Sequence, residues 1–400
     1  MNISEMKKVL ESEFQKEYKK LPQKSFFAPG RLNMIGEHID YNGGLVMPCA
    51  ITMGTYLLLA PNSDHLFRIN SANFEESVEI PLASSYIKSG ESWYNYPLGV
   101  IHFMMQDKCN LDGLDLLYYG NIPIGSGLSS SASIELVTAF ALNDFFSLGY
   151  SLLELVLLSQ RVENKFIGVS SGIMDQFAVA FGQKDKALLL NCNNLEYAVI
   201  DSHLDPYLLA IINTNKPRKL SASKYNERVG ECALALKALQ EELDLTYLCD
   251  IDSVAFQQYQ YLITSETVRR RAQHVIEESE RVKKAATALA GRDLTGFGKL
   301  MYESHDSLKM LYEVSGNELD AIVDYALTDK NVIGARMTGA GFGGCAIALV
   351  AKEGFQRFSA GLTVYYAAKI GYSPTIYSSE IGRGVCTWLS ALPEIDHPDD

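Results

Sequence analysis

The chain of 400 residues has no apolar stretch approaching the ~20 residues that a membrane-spanning helix needs, so a membrane-embedded protein is not expected. Its N-terminus, MNISEMKKVLESEFQKEYKK, lacks the apolar core of a secretion signal. The seven cysteines (Cys49, Cys109, Cys192, Cys232, Cys249, Cys345 and Cys386) are odd in number and never spaced C-x-x-C. That argues against a disulfide framework or structural zinc, and for free thiols in a reducing cytosol. Positive charge is also short: 35 Lys and Arg face 48 Asp and Glu, a formal net charge of −13. Such a surface repels phosphate on average, which argues against a general nucleic-acid or anionic-membrane binder. A local anion site built from backbone N–H groups stays open. What is present is ordinary for a soluble cytoplasmic protein: 47% apolar and 21% charged residues, in a length that suits two domains.

Strand and helix patterns alternate along the chain, which gives an α/β or α+β class. Residues 1–20 read as an amphipathic helix, 44–60 and 114–119 as strands, and 129–146 as a long apolar helix. Ser151 and Glu154 spell a capping box for a further helix, to about Lys165. Strand character returns at 187–200. The second half is richer in charged helical periodicity, at 221–242 and at 265–290 with Ser265 as cap, before a buried strand at 345–350. The domain boundary is placed near residue 205, giving domains 1–205 and 206–400, and 393–400 reads as a solvated tail.

Two glycine loops stand out. Between a strand and a helix start, Gly120–Ser131 carries three glycines and three consecutive serines. Glycine lets backbone N–H groups approach a ligand, and the helix start adds its positive dipole end, so the loop suits a nucleotide's phosphates. It is not a Walker A loop, because Ser126 follows Gly125 where lysine is required, and it contains no G-x-S-x-G. The second loop, Gly339–Gly344, spells G-x-G-x-x-G but precedes a strand instead of a helix. That context rejects a dinucleotide fold and favours a loop packed against ligand or against the first loop.

Charged groups gather in three places. Arg31, Glu37, His38 and Asp40 offer the donors and acceptors that read sugar hydroxyls, and no H-E-x-x-H indicates zinc. Asp175 is one acid in a neutral run, SSGIMDQF. It caps the following helix, or, with Arg31 close by, stays ionised and orients a hydroxyl nucleophile. Glu163, by itself a surface helical acid, could reach Mg²⁺ on a nucleotide in the serine loop.

These blocks resemble a known family. APGRLNMIGEHIDYNGGLVMP (28–48) resembles the galactokinase signature, and GNIPIGSGLSSSASIELV (120–137) the nucleotide loop of the GHMP small-molecule kinases. SSGIMDQF (170–177), NKPRKLSASKYNER (215–228), RRRAQHVIEESER (269–281), ESHDSLKMLYEVSGNELD (303–320) and RMTGAGFGGC (336–345) follow in the family's order. The resemblance implies a two-lobed GHMP kinase fold: a mixed-sheet N-terminal domain, a ferredoxin-like C-terminal domain and an active site between them. It implies ATP-dependent phosphorylation of the anomeric hydroxyl of α-D-galactose, the entry to galactose catabolism, with ATP and Mg²⁺ and with no nucleic-acid or membrane partner. A cytoplasmic monomer is expected. By motif match, Asp175 and Arg31 are catalytic. Glu37, His38, Asp40, Gly172, Asp175 and Tyr225 fall at galactose. Gly125, Ser126, Gly127, Leu128, Ser129, Ser130 and Ser131 fall at the phosphates, Trp93 at adenine, and Ser131 and Glu163 at Mg²⁺.

The chain departs from the pattern at Ile39, where many galactokinases have Thr and where the related N-acetylgalactosamine kinases resemble it more. Ser171 and Ala340 replace a frequent Cys and Gly. N-acetylgalactosamine or a broader set of sugars is therefore the alternative substrate. A non-catalytic sugar sensor is the rival that the intact serine run and Asp175 argue against.

Overall fold

The segment KSFFAPGRLN is buried at every position after the first, as a strand covered on both faces must be. A computed structural model, which describes residues 3–123, 125–169, 171–216 and 221–388, places it at the heart of the first half. In chain order that half contains α1 (Ile3–Tyr18), β1 (Lys24–Asn33), β2 (Leu45–Val46), β3 (Pro48–Pro61), β4 (Leu66–Ser71), β5 (Val78–Pro81), α2 (Asn95–Gln106) and β6 (Leu114–Gly120). There follow α3 (Ser130–Phe146), α4 (Leu152–Arg161), α5 (Met174–Phe181), β7 (Lys186–Asn191) and β8 (Tyr197–Asp201). The second half contains β9 (Tyr207–Asn213), α6 (Ser221–Leu239), α7 (Ser253–Tyr259), α8 (Glu266–Ala290), α9 (Leu294–Ser307), α10 (Asn317–Thr328), β10 (Val332–Thr338), β11 (Cys345–Ala351), α11 (Phe355–Ile370), β12 (Thr375–Ser379) and β13 (Cys386–Thr387).

The large sheet runs β13-β1-β3-β6-β4-β5 and is mixed, since β4 and β6 pair in parallel. Helix α1 covers one face through Phe14, packed with Phe27, Tyr56 and Trp388; α3 and α5 pack on the other. A second small sheet runs β2-β7-β8. The sheet of the second half has the order β10-β11-β9-β12. Numbered within that half it reads 2-3-1-4, all antiparallel, which is the ferredoxin-like arrangement expected for it.

The boundary expected near residue 205 falls between β8 and β9. The last described segment nevertheless returns to the first half: Ile381 bridges Ile51, β13 pairs with β1, and Trp388 joins the small core under α1. Burial of that indole explains the return. The capping box at Ser151 and the Ser265 cap both form. The helix expected to reach Lys165 changes at Val162 into a π-helical turn, Val162–Ile167. The expected tail at 393–400 lies outside the described residues, as do Ile124, Ser170 and 217–220.

Candidate active site

A cleft of about 380 Å³ opens where the two halves meet. Its floor begins with a β-bulge: the pairing of β1 with β3 shifts register between Pro29 and Arg31. Here Gly30 is required, because a Cβ would lie 2.6 Å from the Leu128 carbonyl oxygen. The first glycine loop thus closes directly onto β1, and the Arg31 N–H donates to that same carbonyl at 3.1 Å.

Arg31 is thereby aimed inward, with 4% exposure. Its Nε donates to Asp175 Oδ1 and its Nη2 to Asp175 Oδ2, both at 2.8 Å; its Nη1 donates to the Gly127 carbonyl at 2.8 Å. The Ser129 hydroxyl donates to Asp175 Oδ2 at 2.5 Å. Asp175 lies within the first turn of α5, whose N-cap is Ile173 with no side-chain cap. The capping role that the sequence leaves open is therefore not the one it plays.

Around this pair stand the sugar-signature residues. Asp40 lies against Gly172 so closely that a Cβ there would be 1.9 Å from its Oδ2. Burial, then the neighbouring Asp175 charge, pushes the Asp40 carboxyl up to about 7. His38 takes a left-handed backbone (φ 65). Its Nε2 lies 3.2 Å from the Ala340 carbonyl, which can only accept, so Nε2 carries the proton and Nδ1 accepts from the Tyr41 hydroxyl at 2.8 Å. Burial lowers its pKa to about 3 and keeps the ring neutral. Tyr225 packs 5.6 Å from the His38 ring and faces the cleft. Glu37 accepts from the Asn33 side-chain amide and from the Gly339 N–H, with Arg336 Nη2 at 3.4 Å. Burial pushes its carboxyl above the ordinary range, and Arg336 opposes that.

The second glycine loop closes the opposite wall. Gly339 (φ 83) sits so near the first loop that a Cβ would be 3.3 Å from the Gly127 carbonyl. Contact between the two loops is what its context suggested. Gly125, Gly127, Ser129, Ser130 and Ser131 line the cleft. Leu128 and Ser126 do not: Leu128 is buried, and the Ser126 hydroxyl is buried without a partner. Trp93 also lies outside the lining; its ring stacks on Phe74 and its Nε1 donates to the Glu76 carbonyl at 3.0 Å. Ile39 is fully buried and turned against Gly44, so it does not touch the cleft. Tyr96, Val169, Met174 and Asn226 line it without having been singled out. Asn226, beside Tyr225 in the SKYNER block, and Met174, beside Asp175 in SSGIMDQF, are the two that their motifs could have flagged.

Glu163 is not a surface acid. The π-helical turn carries it inward to 7% exposure, beside the Ser131 hydroxyl, with the Gln176 amide donating to its Oε2 at 3.1 Å. Burial raises its pKa, and the groups acting most strongly on it are Ser131, Ser171, Gln176 and Asp175, none of them a cation. A hard divalent ion would relieve such a carboxylate. One carboxylate and one hydroxyl, with the rest of the shell from phosphates and water, is how Mg²⁺ is usually held, so the residues fit it. Among the described residues no group of three or more His, Cys, Asp or Glu could hold a metal by itself.

The two loops, the ferredoxin-like half and the cleft between define a GHMP small-molecule kinase, and the family models agree. The model for the GHMP kinases N terminal domain matches residues 95–183, and that for the GHMP kinases C terminal matches 285–359. The galactokinase galactose-binding signature matches residues 12–61. Galactokinase from Clostridium tetani is 50% identical over 385 residues, covering 96% of this chain and 97% of that protein. Galactokinase from Enterococcus faecalis is 48% identical over 362 residues, covering 90% and 94%. The crystal structure of Lactococcus lactis galactokinase complexed with galactose superposes with a TM-score of 0.93 at 43% identity, covering 96% of this chain and all of that one. A mevalonate kinase at 22% identity, TM-score 0.67, shares the fold. The chain belongs to the galactokinase family.

Proposed function

We propose that this chain transfers the γ-phosphoryl group of ATP to the anomeric hydroxyl of α-D-galactose, yielding α-D-galactose 1-phosphate and ADP. The observation that carries this is the Asp175 carboxylate, gripped by Arg31 and Ser129 where the sugar signature meets the phosphate loop. Phosphoryl transfer asks little covalent work of a protein; positioning and charge stabilisation do most of it. Glu37, Asp40 and neutral His38 supply acceptors and a neutral ring for the sugar hydroxyls, and Tyr225 a wall. Asp175 accepts a hydrogen bond from the C1 hydroxyl and takes its proton as the new O–P bond forms and the bond to ADP breaks. Arg31 keeps Asp175 oriented and sets a positive charge beside the transferring group. The backbone at Gly125–Ser131 and the start of α3 receive the β- and γ-phosphates. Ser131 and Glu163 would hold Mg²⁺, which supplies charge neutralisation at the phosphates. The stacked Trp93–Phe74 pair offers an aromatic surface for adenine.

Galactose is favoured over N-acetylgalactosamine because Ile39, the residue that raised the alternative, points into the core. ADP release with MgATP and galactose, 2-deoxygalactose, N-acetylgalactosamine, glucose or arabinose tests the reading. Galactose should give the highest kcat/KM, and preference for N-acetylgalactosamine would overturn it.

A further inference from the structure

Arg336 has no exposed surface and is the largest fully buried side chain among the described residues. It stands on β10, in the ferredoxin-like half, yet it points across the junction into the turn that carries the sugar signature. Its Nη1 donates to the Asn33 carbonyl at 3.1 Å and its Nε to the Ser304 hydroxyl at 3.2 Å. Its Nη2 has no full hydrogen bond and lies between two carboxylates, 3.4 Å from Glu37 Oε2 and 3.9 Å from Glu278 Oε1. Glu278, on α8, is equally buried. Its Oε1 accepts from the Gly36 N–H at 3.0 Å and from the Ser304 hydroxyl at 2.6 Å, and its Oε2 meets Arg281. These cations hold its carboxyl down to about 2, so it is ionised.

Burying such ions is expensive, and a well-packed apolar cluster would serve stability at least as well. The groups converge instead on one short stretch: the Asn33 carbonyl, the Gly36 N–H and the Glu37 carboxylate. We propose that Arg336 and Glu278 are positioning residues for sugar recognition, fixing the orientation and charge of Glu37 from the far side of the cleft. This rests on the reading of Glu37 as a galactose contact. Glu278 anchors the backbone immediately before Glu37, and Arg336 sets the carboxylate itself. Ser304 joins the two, accepting from one and donating to the other. The half of the molecule that does not carry the sugar signature therefore sets the affinity for sugar, while the phosphate loop is untouched.

The test compares Arg336→Lys, Ser304→Ala and Glu37→Gln on galactose and on its 2-, 3-, 4- and 6-deoxy analogues, with KM for ATP measured alongside. Arg336→Lys loses the guanidinium fork, and with it the bond to the Asn33 carbonyl and the approach to Glu37, so it should raise the galactose KM by about tenfold. KM for ATP should stay within about twofold of wild type. Ser304→Ala, a small change that keeps every charge, should move galactose the same way by a few-fold, and it decides the matter if Arg336→Lys fails to fold. Both effects should vanish on the one deoxy sugar for which Glu37→Gln also costs nothing, since that sugar lacks the hydroxyl Glu37 reads. A galactose KM unmoved by Glu37→Gln would sink the sugar reading of Glu37. A loss in Glu37→Gln with none in Ser304→Ala, or a loss spread evenly over all sugars and ATP, would overturn the positioning role and leave the cluster as a clamp between the halves.

Discussion

Arg31 and Asp175, 144 positions apart, meet in a two-pronged ion pair with Nε–Oδ1 and Nη2–Oδ2 both at 2.8 Å. The guanidinium fork matches the two carboxylate oxygens and still has Nη1 free for the Gly127 carbonyl of the first glycine loop. One side chain thus ties the carboxylate to the loop. A lysine would keep the charge and lose the fork. Arg31→Lys should lower kcat by about 10²-fold or more while the galactose Kd shifts little, the pattern of an interaction made in the transition state. Steady-state kinetics with calorimetric binding checks this.

Gly172 admits Asp40 because it has no Cβ; one would sit 1.9 Å from Asp40 Oδ2. Its backbone is not left-handed, so alanine is tolerated by the chain and resisted only by the carboxylate. Gly172→Ala should therefore leave the fold intact, displace Asp40 and raise the galactose KM about tenfold, with KM for ATP little changed. Equal rises in both would argue against Asp40 as a sugar contact.

Asp40 also carries a pH signature. Its carboxyl titrates near 7 in the folded chain against an ordinary 3.8, because it is buried and faces Asp175. Between these values the folded state holds a proton that the unfolded state has released, so stability is lost as pH rises across that window and is level above it. Asp40→Asn removes this loss. Its Tm advantage over wild type should be absent below about pH 4, grow to a few degrees by about pH 7, and then stay constant. Galactose binding should weaken in the same variant, a trade of function for stability. Thermal unfolding of both proteins across pH 4–9 reads it.

Glu163 should matter to the metal. Glu163→Gln keeps the shape and the contact with Gln176 but gives up the charge. Binding of Mn²⁺ in the presence of ADP, followed by electron paramagnetic resonance, should weaken by about tenfold or more. Unchanged binding would remove Glu163 from the metal site.

Much of this was written locally. The Ser151–Glu154 spacing announced a cap, and the glycines and serines of 120–131 and the four polar residues within 31–40 announced groups that the fold does gather in one cleft. All have a short-range signature. What the chain concealed depends on distance. Nothing near Glu163 shows that a π-helical turn will swing it inward, so its charge read as solvated. Arg336 sits in an apolar strand and Glu278 in a charged helix, and neither neighbourhood discloses that across the junction Arg336 meets Glu37 and Glu278 meets the Gly36 N–H. The return of β13 to the first sheet is hidden for the same reason, since two residues carry no pattern of their own. Trp93, which its motif match assigns to the nucleotide, stands apart from the cleft's lining and stacks on Phe74.

The most direct test of the central claim is a single-turnover experiment with Asp175→Ala, read beside galactose and ATP binding to the same variant. The account predicts that both ligands bind within about tenfold of wild type while α-D-galactose 1-phosphate forms at least about 10²-fold more slowly, because only the group that orients and deprotonates the hydroxyl is gone. Product formation at the wild-type rate, in a variant that binds both ligands, would contradict it.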